Sequence, residues 1–153
     1  MTTLTEQEIE SLTLRVEQEI RVHASIEKTF AALLEELGPL GTRPDGTAMD
    51  MKLEPWPGGR WFRDLGDGNG HYWATVQAIK RPMLLEFCGP LFMSQPVSNN
   101  VMYRLSQEGD ETVIKFLHTA FGPILPAHRE GVSKGWGHIH DQVLKRAERT
   151  ERA

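Results

Sequence analysis

The stretch Thr112-Val113-Ile114-Lys115-Phe116-Leu117-His118-Thr119-Ala120 reads as a strand, and it runs through Phe121-Gly122-Pro123-Ile124-Leu125-Pro126 into one long amphipathic helix. In that helix Val132, Trp136, Ile139, Val143 and Ala147 recur at steps of three and four, a single stripe of helical surface. Lys145, Arg146, Arg149 and Arg152 crowd its end, where cations suit the helix dipole. A strand delivering the chain into a closing C-terminal helix sets the frame for everything before it.

Working back from Thr112, Glu108-Gly109-Asp110-Glu111 has the composition of a hairpin turn, with a strand over Asn100 to Gln107 on its far side. Further strand-like pieces are Met83 to Cys88, His71 to Lys80, Arg60 to Leu65 and Met49 to Glu54. Gly89-Pro90, Arg81-Pro82, Gly66 to Gly70 and Pro55-Trp56-Pro57-Gly58-Gly59 punctuate them. Short strands at regular spacing predict an antiparallel meander rather than alternating βαβ units. Ser25 is the expected N-cap of a helix whose apolar face is Ile26, Phe30, Leu33, Leu34 and Leu37, stopped by Gly38-Pro39. Leu14 to Val22 alternates as a half-buried strand, and Thr5 with Glu8 fits a capping box for a short helix over 6–12. The reading is one α+β domain over 1–153, with its core in 14–149. A curved antiparallel sheet wraps around the long C-terminal helix, and the two enclose a cavity.

Composition narrows the function classes. The 153 residues carry a net charge of −4, with no basic footprint for nucleic acid. No apolar run is long enough to insert in a membrane, and the start MTTLTEQEIESLTL lacks the pattern of a signal peptide. Cys88 is the one cysteine, which rules out an intrachain disulfide and favours a reducing compartment. A cytoplasmic location is the expectation.

The aromatic set is large for a domain of this size, and it suits a cavity that holds a small apolar or aromatic ligand. Candidate lining residues are Trp136, His118, Phe116, Trp73, Tyr103, Trp61 and His140; the competing reading for each is ordinary core packing. Alternation along the last strand puts Thr112, Ile114, Phe116 and His118 on one face. His118 is then a candidate general acid or base, or else a core histidine bonded to a neighbour. Gly131 and Gly135 inside a helix cost about 1 kcal/mol each against alanine. Either close helix–sheet approach or room for a ligand accounts for them. Glu86 reads as outward-facing, and Arg60, Arg63 and Arg104 as convex-surface charges. His138, His140 and Asp141 lack the i,i+4 spacing of a zinc helix, and Asp67 to Gly70 lacks the ligands of a calcium loop. No metal and no cofactor is expected.

Gly58-Gly59-Arg60-Trp61, Pro82, the Thr112–His118 run and Gly135-Trp136, in this order and spacing, resemble the SRPBCC superfamily of START and Bet v 1-like proteins. The branch they resemble most is that of the heat-shock-protein ATPase activator homologues, over about residues 14–149. The resemblance implies the helix-grip fold. It also implies binding of a small, largely apolar ligand in some members, turnover in others and chaperone regulation in a few. One departure stands out: Leu37-Gly38-Pro39-Leu40-Gly41 occupies the place where many members carry a tryptophan. Leu91-Phe92-Met93 would then supply the lip of the cavity. The first expectation is a carrier or sensor of an apolar ligand. The alternatives are a cyclase- or hydrolase-type enzyme using His118, and an interaction module that contacts a chaperone. Whether the chain forms a homodimer stays open.

Overall fold

Thr5 and Glu8 satisfy each other's backbone: the Glu8 N–H donates to Thr5 Oγ1 at 3.1 Å, and the Thr5 N–H to Glu8 Oε2 at 2.7 Å. This capping box starts α1 (Glu6–Ser11) in a computed structural model that describes residues 3–153. The helix stops one residue earlier than the sequence predicts. Leu12 already serves as its C-cap, and the chain enters β1 (Thr13–Val22) at the next residue. Ser25 Oγ accepts the Lys28 N–H and opens α2 (Ile26–Leu37), which buries Phe30, Leu33 and Leu37.

Six strands follow in a meander: β2 (Met51–Leu53), β3 (Arg60–Gly66), β4 (Asn69–Lys80), β5 (Leu84–Gly89), β6 (Ser98–Glu108) and β7 (Glu111–Phe121). They pair antiparallel in the order β1-β7-β6-β5-β4-β3-β2, so the first strand closes against the last. The β3–β4 turn is tighter than the glycine-rich sequence suggests. Asp67 and Gly68 alone make it, both at positive φ, as a two-residue turn matched to strand twist requires. At the other end β2 is shorter than expected, because Asp50 sits at φ 57° and breaks the extended run from Met49. Register shifts at Trp61/Phe62, Asp64/Gly66 and Val76/Ala78 put bulges into β3 and β4, and bulges bend a sheet.

The last element is α3 (Pro126–Arg152), 27 residues and about 40 Å long at 1.5 Å per residue. Its buried stripe is Val132, Trp136, His140, Val143 and Ala147. The expected stripe has Ile139 in place of His140; Ile139 is half-buried at the stripe's edge, and His140 takes the inner position. That is possible because each nitrogen of His140 finds a hydrogen-bond partner, the buried Tyr103 and the half-buried Gln18. Helix α2 packs beside α3, and Arg146 Nε donates to the buried Glu36 Oε1 at 2.7 Å across the pair. Sheet, α2 and α3 share one core running from Val16 through Trp61, Phe87, Tyr103 and Phe116 to Trp136 and Val143. The architecture is the α+β helix grip. No helix among the described residues is long and apolar enough to cross a membrane.

Candidate functional site

Alternation on β7 does bury Thr112, Ile114, Phe116 and His118 on one face. Their neighbours come from the strands beside them and from α3. Phe116 meets Tyr103 at 5.0 Å between centroids, Trp136 at 4.9 Å and His140 at 4.5 Å. On the other side of Trp136 lies Trp61, at 6.5 Å, itself stacked on Phe87 at 4.7 Å and edge-on to Trp73 at 5.2 Å. The result is a continuous aromatic layer between sheet and helix.

Two imidazoles are locked into that layer. The Trp136 indole N–H donates to His118 Nδ1 at 3.0 Å, so His118 carries its proton on Nε2 and donates it to Asn99 Oδ1 at 2.7 Å. Asn99 Nδ2 passes the chain on to the Pro90 carbonyl at 3.2 Å. His118 is wholly buried, and loss of hydration pushes its pKa down to about 4. His140 is built the same way. Its Nδ1 lies 2.7 Å from Gln18 Oε1, a pure acceptor, so Nδ1 holds the proton and Nε2 accepts from the Tyr103 hydroxyl at 2.9 Å. Burial lowers the pKa of His140 to about 4 and raises that of Tyr103. Both rings are neutral, with every nitrogen committed.

A cleft of about 370 Å³ opens in front of this layer. Helix α3 contributes His128, Gly131, Val132, Gly135, Trp136 and Ile139 to it, with His138 at the far end. The sheet side gives Trp73 from β4 and Phe92 from the β5–β6 loop, while Thr42, Arg43, Pro44 and Met49 of the α2–β2 loop close the third side. Two contacts tie helix to loops: His138 Nε2 lies 3.1 Å from the Thr42 carbonyl, to which it donates, and Phe92 packs edge-on to His128 at 5.3 Å. The one cation, Arg43, is turned to its own loop, donating to the Ala48 carbonyl at 2.7 Å and to Thr47 Oγ1 at 3.2 Å. The rest of the lining is almost entirely apolar.

Of the seven residues the sequence nominates, Trp136 and Trp73 border this cleft. His118, Tyr103, Trp61 and His140 lie in the layer behind it. Phe116 is there too, with an edge on a second hollow bordered otherwise by Glu17, Gln18, Glu19 and Lys115. Leu91-Phe92-Met93 does form a lip. Leu91 and Met93 are buried, and Phe92 is turned to the cleft. Leu91 adopts φ 55°, a left-handed conformation uncommon for a branched residue, held by its N–H on the Trp73 carbonyl at 2.7 Å. Glu86 faces outward and accepts from Asn100 Nδ2 at 3.3 Å. The loop residues Thr42, Arg43 and Pro44 escape a reading by periodicity, since a loop has none. Gly131 and Gly135 carried the signal in the sequence, and the structure removes one of its two meanings. A Cβ at either position would meet nothing within 4 Å, so these glycines leave open space and do not serve close packing. Among the described residues no three His, Cys, Asp or Glu side chains group closely enough to hold a metal ion.

Comparison with known proteins places this geometry in context. A family model described as activator of Hsp90 ATPase homolog 1-like protein matches residues 23–147. Among solved structures, protein MLL2253 from Mesorhizobium loti is 19% identical, with a TM-score of 0.67 over 90% of this chain and 98% of that one. Ara h 8.0201 is 15% identical, with a TM-score of 0.62 over 87% and 96%. The di-domain ARO/CYC StfQ from the steffimycin biosynthetic pathway is 14% identical, with a TM-score of 0.66 over 96% of this chain and 54% of that one. At such identities the likeness concerns the fold alone. No curated protein matches the sequence.

Proposed function

The chain belongs to the activator of Hsp90 ATPase homolog 1-like family, a branch of the SRPBCC superfamily, and from that premise we propose that it binds a small, largely apolar ligand in the cleft between α3, Trp73, Phe92 and the α2–β2 loop, as a carrier or sensor. The observation that carries this reading is the pair Gly131 and Gly135. Each weakens the helix, and each faces open space instead of a packing partner. A cleft of about 370 Å³ falls at the lower end of the range, roughly 300–1,000 Å³, that small-molecule sites occupy. Its apolar walls with a few polar groups at the ends match the usual composition of such sites.

The enzymatic reading through His118 has less support. A general acid or base must reach the substrate with an available nitrogen. Both nitrogens of His118 are committed, and Trp136 stands between it and the cleft. An interaction module would need an exposed apolar patch, and of Leu91-Phe92-Met93 only Phe92 is partly exposed, turned to the cleft. Native mass spectrometry of the purified protein, followed by denaturing extraction, tests the proposal. It expects a reproducible apolar molecule at near one-to-one stoichiometry, lost in Gly135→Leu. A clean apo mass, with no thermal stabilisation by a panel of apolar ligands, would count against it.

A further inference from the structure

The histidines around the aromatic layer differ in one respect. His118 and His140 have both nitrogens committed, His138 donates to Thr42, and His71 Nδ1 accepts from the Trp73 indole N–H at 3.2 Å. His128 makes no hydrogen bond to any described residue, and its Nδ1 is shut away from solvent with no partner. Such an atom loses its hydration without replacement, which a folded protein normally avoids. The other atom in this condition, Thr29 Oγ1, does not border the cleft; the His128 ring does. His128 gives up no hydrogen bond in turning about Cβ–Cγ, so a ligand at the cleft can draw one of its nitrogens toward itself. Phe92 packs edge-on to the ring at the rim.

The surroundings define what that nitrogen would meet. Trp73, Phe92 and Trp136 present aromatic surfaces, and the two glycines leave a side-chain-free strip along α3 between them. Flat rings pack well on aromatic faces and edges, and a strip without side chains admits a flat molecule. The polar group of that molecule is most economically neutral. A carboxylate would be desolvated against apolar walls, with the one cation, Arg43, already engaged by its own loop. A hydroxyl donates to an unprotonated imidazole nitrogen or accepts from a protonated one, so it suits His128 in either tautomer. Resting on the cleft as the ligand site, we propose that the ligand is a planar hydroxylated aromatic, its rings over the Gly131–Gly135 strip and its hydroxyl on His128.

Naphthol, naphthalene and naphthoate are the probes, titrated by calorimetry against the full-length protein, His128→Phe and Gly135→Leu. Circular dichroism confirms that each variant is folded. The wild type is expected to bind naphthol about five- to tenfold tighter than naphthalene, the increment of one hydrogen bond, and naphthoate most weakly. His128→Phe should remove that advantage and leave naphthalene within about twofold, while Gly135→Leu should abolish binding of all three. If Gly135→Leu removes binding but His128→Phe weakens naphthol and naphthalene alike, or neither, the hydroxyl assignment is overturned and the cleft reading stands. If Gly135→Leu leaves naphthol affinity unchanged, the cleft itself is the wrong site. Failure of all three probes to bind the wild type overturns the aromatic inference, and the cleft reading then rests on the extraction experiment alone.

Discussion

His118 and His140 hold protons differently in the folded and unfolded chain, and stability must follow. Folded, both sit near pKa 4; unfolded, both return to about 6.5. Between those values the unfolded chain binds more protons, so stability is full above about pH 6.5 and falls as pH drops toward 4. Each histidine should contribute a slope of about 1.4 kcal/mol per pH unit across that window. Glu54 and Glu151, with lowered pKa, add their own loss only below their unfolded value of 4.5, so the upper part of the window is free of them. Urea midpoints measured from pH 8 to 5 should be flat at first and then decline, and His118→Gln should about halve the decline. An unchanged slope in that variant would mean that His118 titrates normally. Trp136→Phe probes the same chain of hydrogen bonds from the other side. It strands His118 Nδ1 in the core and should cost about 1–3 kcal/mol in urea unfolding.

Helix α3 combines two demands, and its glycines separate them. Gly135→Ala should stabilise the protein by about 1 kcal/mol through helix propensity, because its Cβ enters open space. Gly137, exposed and away from the cleft, also has open space around it. Gly137→Ala should stabilise to a similar degree, and only Gly135→Ala should also weaken ligand binding. Equal ligand affinity in the two variants would show that Gly135 is not there for a ligand. Arg146 tests the join of α3 to α2: Arg146→Ala leaves Glu36 buried without its partner and should cost about 3 kcal/mol, read from thermal or urea unfolding. At this scale much was legible beforehand. The meander, the capping of α1 and α2 and the stripe of α3 apart from His140 follow from period and cap residues, which local sequence carries directly. The strand face of His118 was legible too, and a core histidine bonded to a neighbour was one of its two readings, but the neighbours themselves were not. Alternation tells which side of a sheet a residue faces, and nothing in β7 reveals that Trp136 of a distant helix lies across it. The same holds for Arg43 and Pro44, which reach the cleft because the α2–β2 loop folds against α3.

For the whole molecule, the aromatic layer divides the interior in two. Behind it, polar atoms are paired in closed chains from Pro90 to Trp136 and from Ser133 through Gln18 and His140 to Tyr103. In front of it lies open, apolar space, with glycines along one side and an unpaired imidazole at the rim. With both nitrogens of His118 and of His140 taken up at the back and the front left unfilled, the layout agrees with the proposed ligand site rather than with a site built around His118. The chain's 4 tryptophans give a direct test, since each indole N–H yields its own signal in a proton–nitrogen correlation spectrum. Trp73 and Trp136 border the cleft, Trp61 lies behind them, and Trp56 is exposed in the β2–β3 loop. The measurement is a titration with naphthol followed at these four signals. Binding in the cleft predicts progressive, saturable shifts at Trp73 and Trp136, a smaller one at Trp61 and none at Trp56. Saturable shifts at Trp56 with Trp73 and Trp136 unmoved would contradict it.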